Sequence, residues 1–309
     1  MVQPNASLAD PDRGLRWGVE RRMQFIDFRL YWEGRINRAD LMRFFGVSVQ
    51  QASADIARYQ ELAPDNLTYD RSAKRYLAGA DYRPVFKVDD SDRYLAQLRS
   101  LGEKLIQPEE AWMAEIPSFQ TLPLPSRPIE PAILRAAITA IRQKTAIEVL
   151  YQSMSRPDPL WRWISPHAIG FDGLRWHARA FCHIDGFFKD FVFARIREIG
   201  STRPHDVDPA RDRAWIETVP VVITPHPDLS QAQRKTIALD YGMVDSVRVI
   251  QVKRAFLLYF LQRLRLDETG SGRRPAEQQI VLANRTEILE AMATDRHATP
   301  AHDAESGVQ

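Results

Sequence analysis

The chain has 309 residues, 44% hydrophobic and 27% charged, with 42 Lys+Arg against 40 Asp+Glu and one cysteine. That length predicts two or three compact units, and a lone cysteine excludes an internal disulfide framework. No apolar run reaches the roughly 18–20 uncharged residues of a membrane span, and no cationic, apolar leader opens the chain, so a cytoplasmic protein without a membrane partner is expected.

The first predicted helix covers Leu15 to Glu33, with Val19, Met23, Ile26 and Leu30 on one stripe and Phe25, Phe28 and Trp32 on a second. Two stripes imply burial on two sides. Gly34 ends it. Asn37 caps a helix with Leu41, Phe44 and Phe45 inward, and Gly46 stops that one. Ser48 then caps a third helix, whose inward side is Val49, Ala52, Ile56 and Tyr59. In "NLTYDRSAKRYLAG", Thr68–Tyr69 and Arg75–Leu77 read as a hairpin around a polar turn. The first 82 residues are therefore expected to form three helices and a wing.

Residues 83–128 read as a linker, helical in "DDSDRYLAQLRSLGEKL" and Pro-rich afterwards. Pro131 starts a helix through Ile141. Four extended runs follow, "AIEVLYQS", "RWISPHAIGFDG", "LRWHARAFCHID" and "FFKDFVFARIREIG", with tight turns at Asp172-Gly173 and Asp185-Gly186. One helix and several antiparallel strands suggest a small barrel over 129–204. From Thr218 the order strand, helix, strand, helix predicts a small α+β unit within 205–292. The last residues, 293–309, read as a disordered tail.

Projected at 100° per residue, the third helix turns Gln50, Ala54 and Ala57 outward, with Gln51, Ser53 and Arg58 at the margins. Such a face suits a groove reader, because small residues permit close approach and glutamines can bind an adenine edge bidentately. Gln50, Gln51 and Ser53 are the candidate readers. Phosphates would meet the helix N-terminus at Ser48, Arg21 or Arg22, and Arg71, Lys74 and Arg75 of the wing. A helical bundle with a solvated polar face fits the same spacing.

Residues 131–205 carry 11 Lys+Arg against 6 Asp+Glu, so the middle of the chain is basic. Within "GLRWHARAFCHIDGFFKDFVFARI", strand alternation sets His177, Arg179, Phe181 and His183 on one side and Trp176, Ala178, Ala180 and Cys182 on the other. Cys182 then cannot join both histidines, and no second cysteine exists, which argues against a metal site or a thiol nucleophile. Tyr151 and Ser153 point together on the preceding strand, as do Phe191, Phe193 and Arg195 on the following one. If these strands are neighbours, they form a wall that captures anions and stacks bases, with Trp176 and Phe181 among the aromatic candidates. No carboxylate pair accompanies it, so an enzyme is not expected and no cofactor is implied.

The N-terminal stretch "RMQFIDFRLYWEGRINRADLMRFFGVSVQQASADIARYQ", the hairpin "NLTYDRSAKRYL" and the central run "DGLRWHARAFCHIDGFFKDFVFARI" together resemble the WYL-domain transcriptional regulators, closest to the BrxR/CapW type of repressor of bacterial phage-defence operons. The likeness spans roughly Arg16 to Met292. The family's Trp-Tyr-Leu triplet falls on Trp176, His177 and Ala178, so two of three letters differ. The resemblance implies an α+β multidomain chain: a winged helix-turn-helix, a linker, an Sm-like five-stranded WYL barrel and a C-terminal αβ dimerisation domain. It also implies a homodimeric repressor on an inverted-repeat operator in double-stranded DNA. Its pocket would be lined by Tyr151, Ser153, His167, His177, Arg179 and Arg195 and would take an anionic nucleotide or oligonucleotide; His167 enters through the resemblance alone. An effector binding RNA or single strands on the basic barrel is the alternative.

Overall fold

The structure is a computed structural model describing residues 11–125, 127–267 and 273–296. It divides into two compact units, Met1–Leu124 and Pro125–Gln309.

In the first unit, helix α1 (Pro11–Glu33) begins earlier than its apolar stripes predict and ends at Gly34, whose φ of 69° is the left-handed turn glycine favours. Met23, Phe25, Ile26, Phe28 and Leu30 are all buried, so both stripes face protein. A two-residue strand β1 (Arg35–Ile36) follows. Helix α2 (Arg38–Phe45) starts with a capping box between Asn37 and Asp40. Helix α3 (Val49–Leu62) is capped by Ser48, whose side chain accepts from the Gln51 amide. Ala52, Ile56 and Tyr59 are buried as expected, but Val49 is 48% exposed: it sits in the first turn, before the helix reaches the core. Strands β2 (Leu67–Asp70) and β3 (Arg75–Ala78) form the hairpin, and β1 adds to it in the order β1-β3-β2.

The segment read as a linker is partly core. Helix α4 (Ser91–Gly102) buries Leu98, and beyond it Ala111, Trp112 and Met113 join the α1 cluster, with Trp112 edge-on to Phe25 and Phe28. Proline density excludes regular elements there, yet it does not prevent large side chains from packing.

The second unit opens with helix α5 (Pro131–Gln143) and a five-stranded antiparallel sheet: β4 (Thr145–Tyr151), β5 (Leu160–Phe171), β6 (Trp176–Cys182), β7 (Phe187–Val192) and β8 (Ile196–Pro204). The order is β7-β6-β5-β4-β8. Among the described residues β7 and β8 do not pair with each other, so the sheet does not close into the expected barrel. The run "FFKDFVFARIREIG" is not one strand, because a 3₁₀ turn at Phe193–Arg195 separates β7 from β8. The core lies between α5 and one sheet face, where Ala178, Ala180 and Cys182 meet Ala137, Ala140, Ile147 and Ile164.

Beyond it come the short helix α6 (Arg213–Ile216), β9 (Thr218–Pro225), α7 (Gln231–Asp240), β10 (Arg248–Lys253), α8 (Leu257–Arg263), β11 (Ile280–Leu282) and α9 (Arg285–Arg296). A second sheet in the order β10-β9-β11 carries its own core around Val221, Ile223 and Leu261. The expected strand-helix-strand-helix order is present, and β11 and α9 extend it. Residues 293–296 of the expected tail are the last turn of α9; 297–309 lie outside the described residues. No helix of the described residues is long and apolar enough to cross a membrane.

Candidate functional site

Two surfaces carry the candidate chemistry. In the first unit, α3 exposes Ser48, Gln50, Gln51, Ala54, Ala57 and Arg58, with Ser53 half-buried beneath Arg38, whose Nη1 lies 3.4 Å from the Ser53 hydroxyl. Gln50 points outward, as a reader requires. Gln51 is partly committed, since its amide donates to Asp55 at 3.0 Å. Asp55 is 2% exposed and pairs with Arg22 (Nε–Oδ2 2.6 Å), so the expected phosphate role of Arg22 is corrected. Its guanidinium fastens α3 to α1, where a buried carboxylate needs a partner. Arg21 lies over the Trp112 ring, 5.5 Å from its centroid. In the wing, Arg71 and Lys74 are exposed at the hairpin tip, where Asp70 accepts from the Ser72 and Ala73 amides, while Arg75 is half-buried.

A buried acid anchors α3 to α1. Asp27, fully buried in the middle of α1, accepts from the hydroxyls of Tyr59 and Tyr82 (2.7 Å for Tyr82) and from the amides of Val85 and Phe86 at 2.8 and 2.7 Å. Burial, and then the bond to Asp27, push both phenols up, so they remain donors. Asn66 adds a bond to the Tyr59 hydroxyl at 3.0 Å and pairs twice with the Arg83 backbone. The helix presenting Gln50 is thus tied at its far end to α1 and to the chain leaving the wing.

In the second unit a cavity of about 820 Å³ lies on the sheet face opposite α5. Its floor is Arg179, Phe181 and His183 of the β6 region with Phe187, Phe188 and Lys189 of β7, and its walls come from residues 206–214 and from Arg254, Ala255 and Tyr259. The alternation expected for β6 is present: Cys182 faces the core, where burial pushes its thiol up, and Arg179 and Phe181 face the cavity.

The other expected pocket residues are elsewhere. Tyr151 is core, edge-on to Phe191 at 5.0 Å, because it shares the face of Ala178 rather than that of Arg179. Ser153 lies past the end of β4 and bonds Ser155 at 3.1 Å. Arg195 sits in the 3₁₀ turn, which breaks the alternation that placed it beside Arg179, and it does not line the cavity. Trp176 is 50% exposed and stacked on Phe171. His177 is buried, with Nε2 2.9 Å from Asp172 and its ring against Tyr259. His167 pairs with Asp212 at 2.9 Å, behind the cavity wall.

The arginine of the cavity is also not a bare cation. Arg179 gives Nε and Nη2 to Asp212 at 2.7 and 2.9 Å and Nη1 to Asp190 at 3.2 Å. Burial would raise the Asp212 pKa, but the bonds from Arg179 and His167 prevail and hold it at about 2. Burial would likewise raise the half-buried Asp172, but bonds from His177 and from the Leu174 and Arg175 amides outweigh it and hold the carboxyl at about 2.

Three family descriptions match in chain order: the BrxR transcriptional regulator winged helix-turn-helix domain over residues 18–100, the WYL domain over 132–200, and the BrxR transcriptional regulator C-terminal dimerization domain over 218–288. The DNA-binding transcriptional repressor CapW of Stenotrophomonas maltophilia is 43% identical over 285 residues, covering 91% of this chain and 95% of that protein. The chain belongs to the BrxR/CapW family of WYL-domain regulators. CapW of Pseudomonas aeruginosa is 41% identical over 279 residues, and CapW of Escherichia coli (strain KTE188) is 38% identical over 282, each covering 89% of this chain and 92% of the relative. The solved proteasome accessory factor B/C of Arthrobacter aurescens aligns with 96% of this chain and 52% of its own length, at 12% identity and a TM-score of 0.24. That likeness is too slight to carry an argument.

What the sequence reading missed in this BrxR/CapW regulator is acidic. Asp27 was legible as a carboxylate in the middle of a helix apolar on two sides, a position tolerated only when the acid is satisfied. Asp190 and Asp212 gave no such signal. Asp212 lies outside the sheet, 33 residues beyond Arg179, and only the return of the chain brings them together.

Proposed function

We propose that this protein is a homodimeric, sequence-specific DNA-binding repressor that binds an inverted repeat and controls its own phage-defence operon. Ligand in the cavity of the second unit, an anionic nucleotide or oligonucleotide, modulates DNA binding. The observation that carries the reading is the outer face of α3, where Gln50 is exposed beside Ala54, Ala57 and Arg58 while Ala52, Ile56 and Tyr59 are buried. Small residues let the helix backbone approach a major groove, Gln50 is the base reader, and Ser48, Arg58, Arg71 and Lys74 position phosphates. The chemistry is binding rather than turnover, and a DNA-binding role agrees with a cytoplasmic protein. Two-fold symmetry then requires half-sites whose centres are about 34 Å, or a multiple of that, apart.

Of the residues expected in the ligand site, Arg179 and Phe181 are retained. The effector reading rests on them together with Phe187, Phe188 and Tyr259 for stacking and Lys189, Arg211 and Arg254 as further cations of the lining. The sheet belongs to the WYL domain. Footprinting on the duplex upstream of the gene tests the proposal. A protected inverted repeat is expected, with Gln50→Ala costing about 1–3 kcal/mol of preference at particular base pairs. Equal affinity for upstream duplex, unrelated duplex and single strands overturns it.

A further inference from the structure

Residues 205–217 are the only covalent path from the five-stranded sheet, which ends at Pro204, to the C-terminal sheet, which begins at Thr218. This segment is fastened on both sides. Toward the C-terminal sheet, Lys253 Nζ donates to the Trp215 carbonyl at 2.6 Å, the Arg254 amide donates to the Glu217 carbonyl at 3.0 Å, and Arg254 pairs with the Glu217 carboxylate at 2.7 Å. Toward the five-stranded sheet the charged contact is Asp212, which is 2% exposed. It grips the Arg179 fork through both oxygens. It also caps α6 by accepting from the Trp215 amide at 3.2 Å.

Arg179 lines the cavity, and its planar fork is the shape that binds two oxygens of a phosphoryl group as readily as two of a carboxylate. A phosphoryl ligand and Asp212 therefore compete for the same two N–H groups. Each member of the pair also has a second partner. Arg179 keeps Asp190 at 3.2 Å, and Asp212 keeps His167 at 2.9 Å and the Trp215 amide. Separating them exchanges one satisfied arrangement for another and strands neither charge, which is what a two-state element requires.

We infer that the Arg179–Asp212 pair is a ligand-operated latch: a phosphoryl anion in the cavity takes the Arg179 fork, and segment 205–217, then held at Asp212 by His167 of β5 alone, loosens where it meets the five-stranded sheet. The inference rests on the effector reading for its ligand and supplies what that reading lacks, a route from the cavity to the domain matched to dimerisation. Such a ligand shifts the equilibrium only through its preference for the open arrangement.

Hydrogen exchange on the full chain tests this, with inorganic phosphate as the probe and sodium chloride at equal ionic strength as the control. Phosphate is expected to speed exchange across 208–217 by about five- to 150-fold, the range of ordinary coupling energies, while β4 amides stay unchanged. Asp212→Asn should show the fast exchange without phosphate. Arg179→Lys, which keeps the charge and loses the fork, should do the same and respond less to phosphate; it stands in if the Asn variant does not fold. A wild-type segment that ignores phosphate, or variants that exchange like wild type, overturn the latch. The readout involves no DNA, so an absent footprint would sink the repressor reading without altering this result, and a silent segment would sink the latch while leaving a footprint intact.

Discussion

Replacing Asp27 with alanine removes an acceptor serving four donors at once: the Tyr59 and Tyr82 hydroxyls and the Val85 and Phe86 amides. Asp27 and Tyr59 are fully buried, so water cannot replace the lost oxygen at the Tyr59 hydroxyl unless the core opens. A buried donor left without a partner costs about 1–3 kcal/mol. Of the four, the Tyr82 hydroxyl keeps the Asp27 main-chain carbonyl at 3.0 Å, whereas Asn66 donates to the Tyr59 oxygen and offers its O–H no acceptor, which leaves three stranded and sets the expected loss at about 3–9 kcal/mol. That is comparable with the whole stability of many domains. Urea denaturation followed by tryptophan fluorescence reads it, since Trp112 packs in the same core. Tyr82→Phe, which removes one donor and leaves Asp27 with three, should cost only about 1 kcal/mol. DNA affinity should fall with Asp27→Ala even where the protein stays folded, because Tyr59 anchors the C-terminal half of the reading helix. A loss below about 1 kcal/mol with unchanged DNA binding would refute the idea that this acid organises the unit.

Acid should loosen the second unit before neutral pH has any effect. Asp172 and Asp212 have folded-state pKa values held at about 2, below the unfolded value of 3.8, so their stabilisation is complete above that unfolded value and is lost as pH falls toward 2. Each contributes about 2 kcal/mol across that window. Denaturation midpoints measured from pH 6 to 2 should bend downward below about 4, and Asp172→Asn should flatten the bend. Gly170→Ala should destabilise by about 1–3 kcal/mol, because an added Cβ would lie 2.3 Å from the Phe256 ring; an unchanged melting temperature would count against that close packing. Asp55→Ala should cost about 3–5 kcal/mol in thermal unfolding by leaving Arg22 without its carboxylate, and an effect confined to DNA binding would restore the phosphate role to Arg22. Lys74→Ala at the wing tip should weaken operator and unrelated duplex equally and reduce the salt dependence of log affinity by about one, checked by titrations at several salt concentrations.

The local elements were legible because they are set by neighbours in the chain. The Asn37 and Ser48 caps, the stops at Gly34 and Gly46, the polar turn of the wing and the outward Gln50 all follow from periodicity and capping within a few residues. The facing of Arg179 and Phe181 away from Cys182 follows in the same way, from the alternation of one strand. Tertiary structure decided which of these residues could act on a ligand and which were already taken. A 3₁₀ turn at Phe193–Arg195 removed Arg195 from the wall, β4 turned Tyr151 into the core, and the return of the chain at Asp55 and Asp212 placed carboxylates on Arg22 and Arg179. A charged side chain can be read from sequence, but its partner cannot: a buried arginine must be neutralised by whatever acid the fold brings within about 3 Å, however far away in the chain that acid lies.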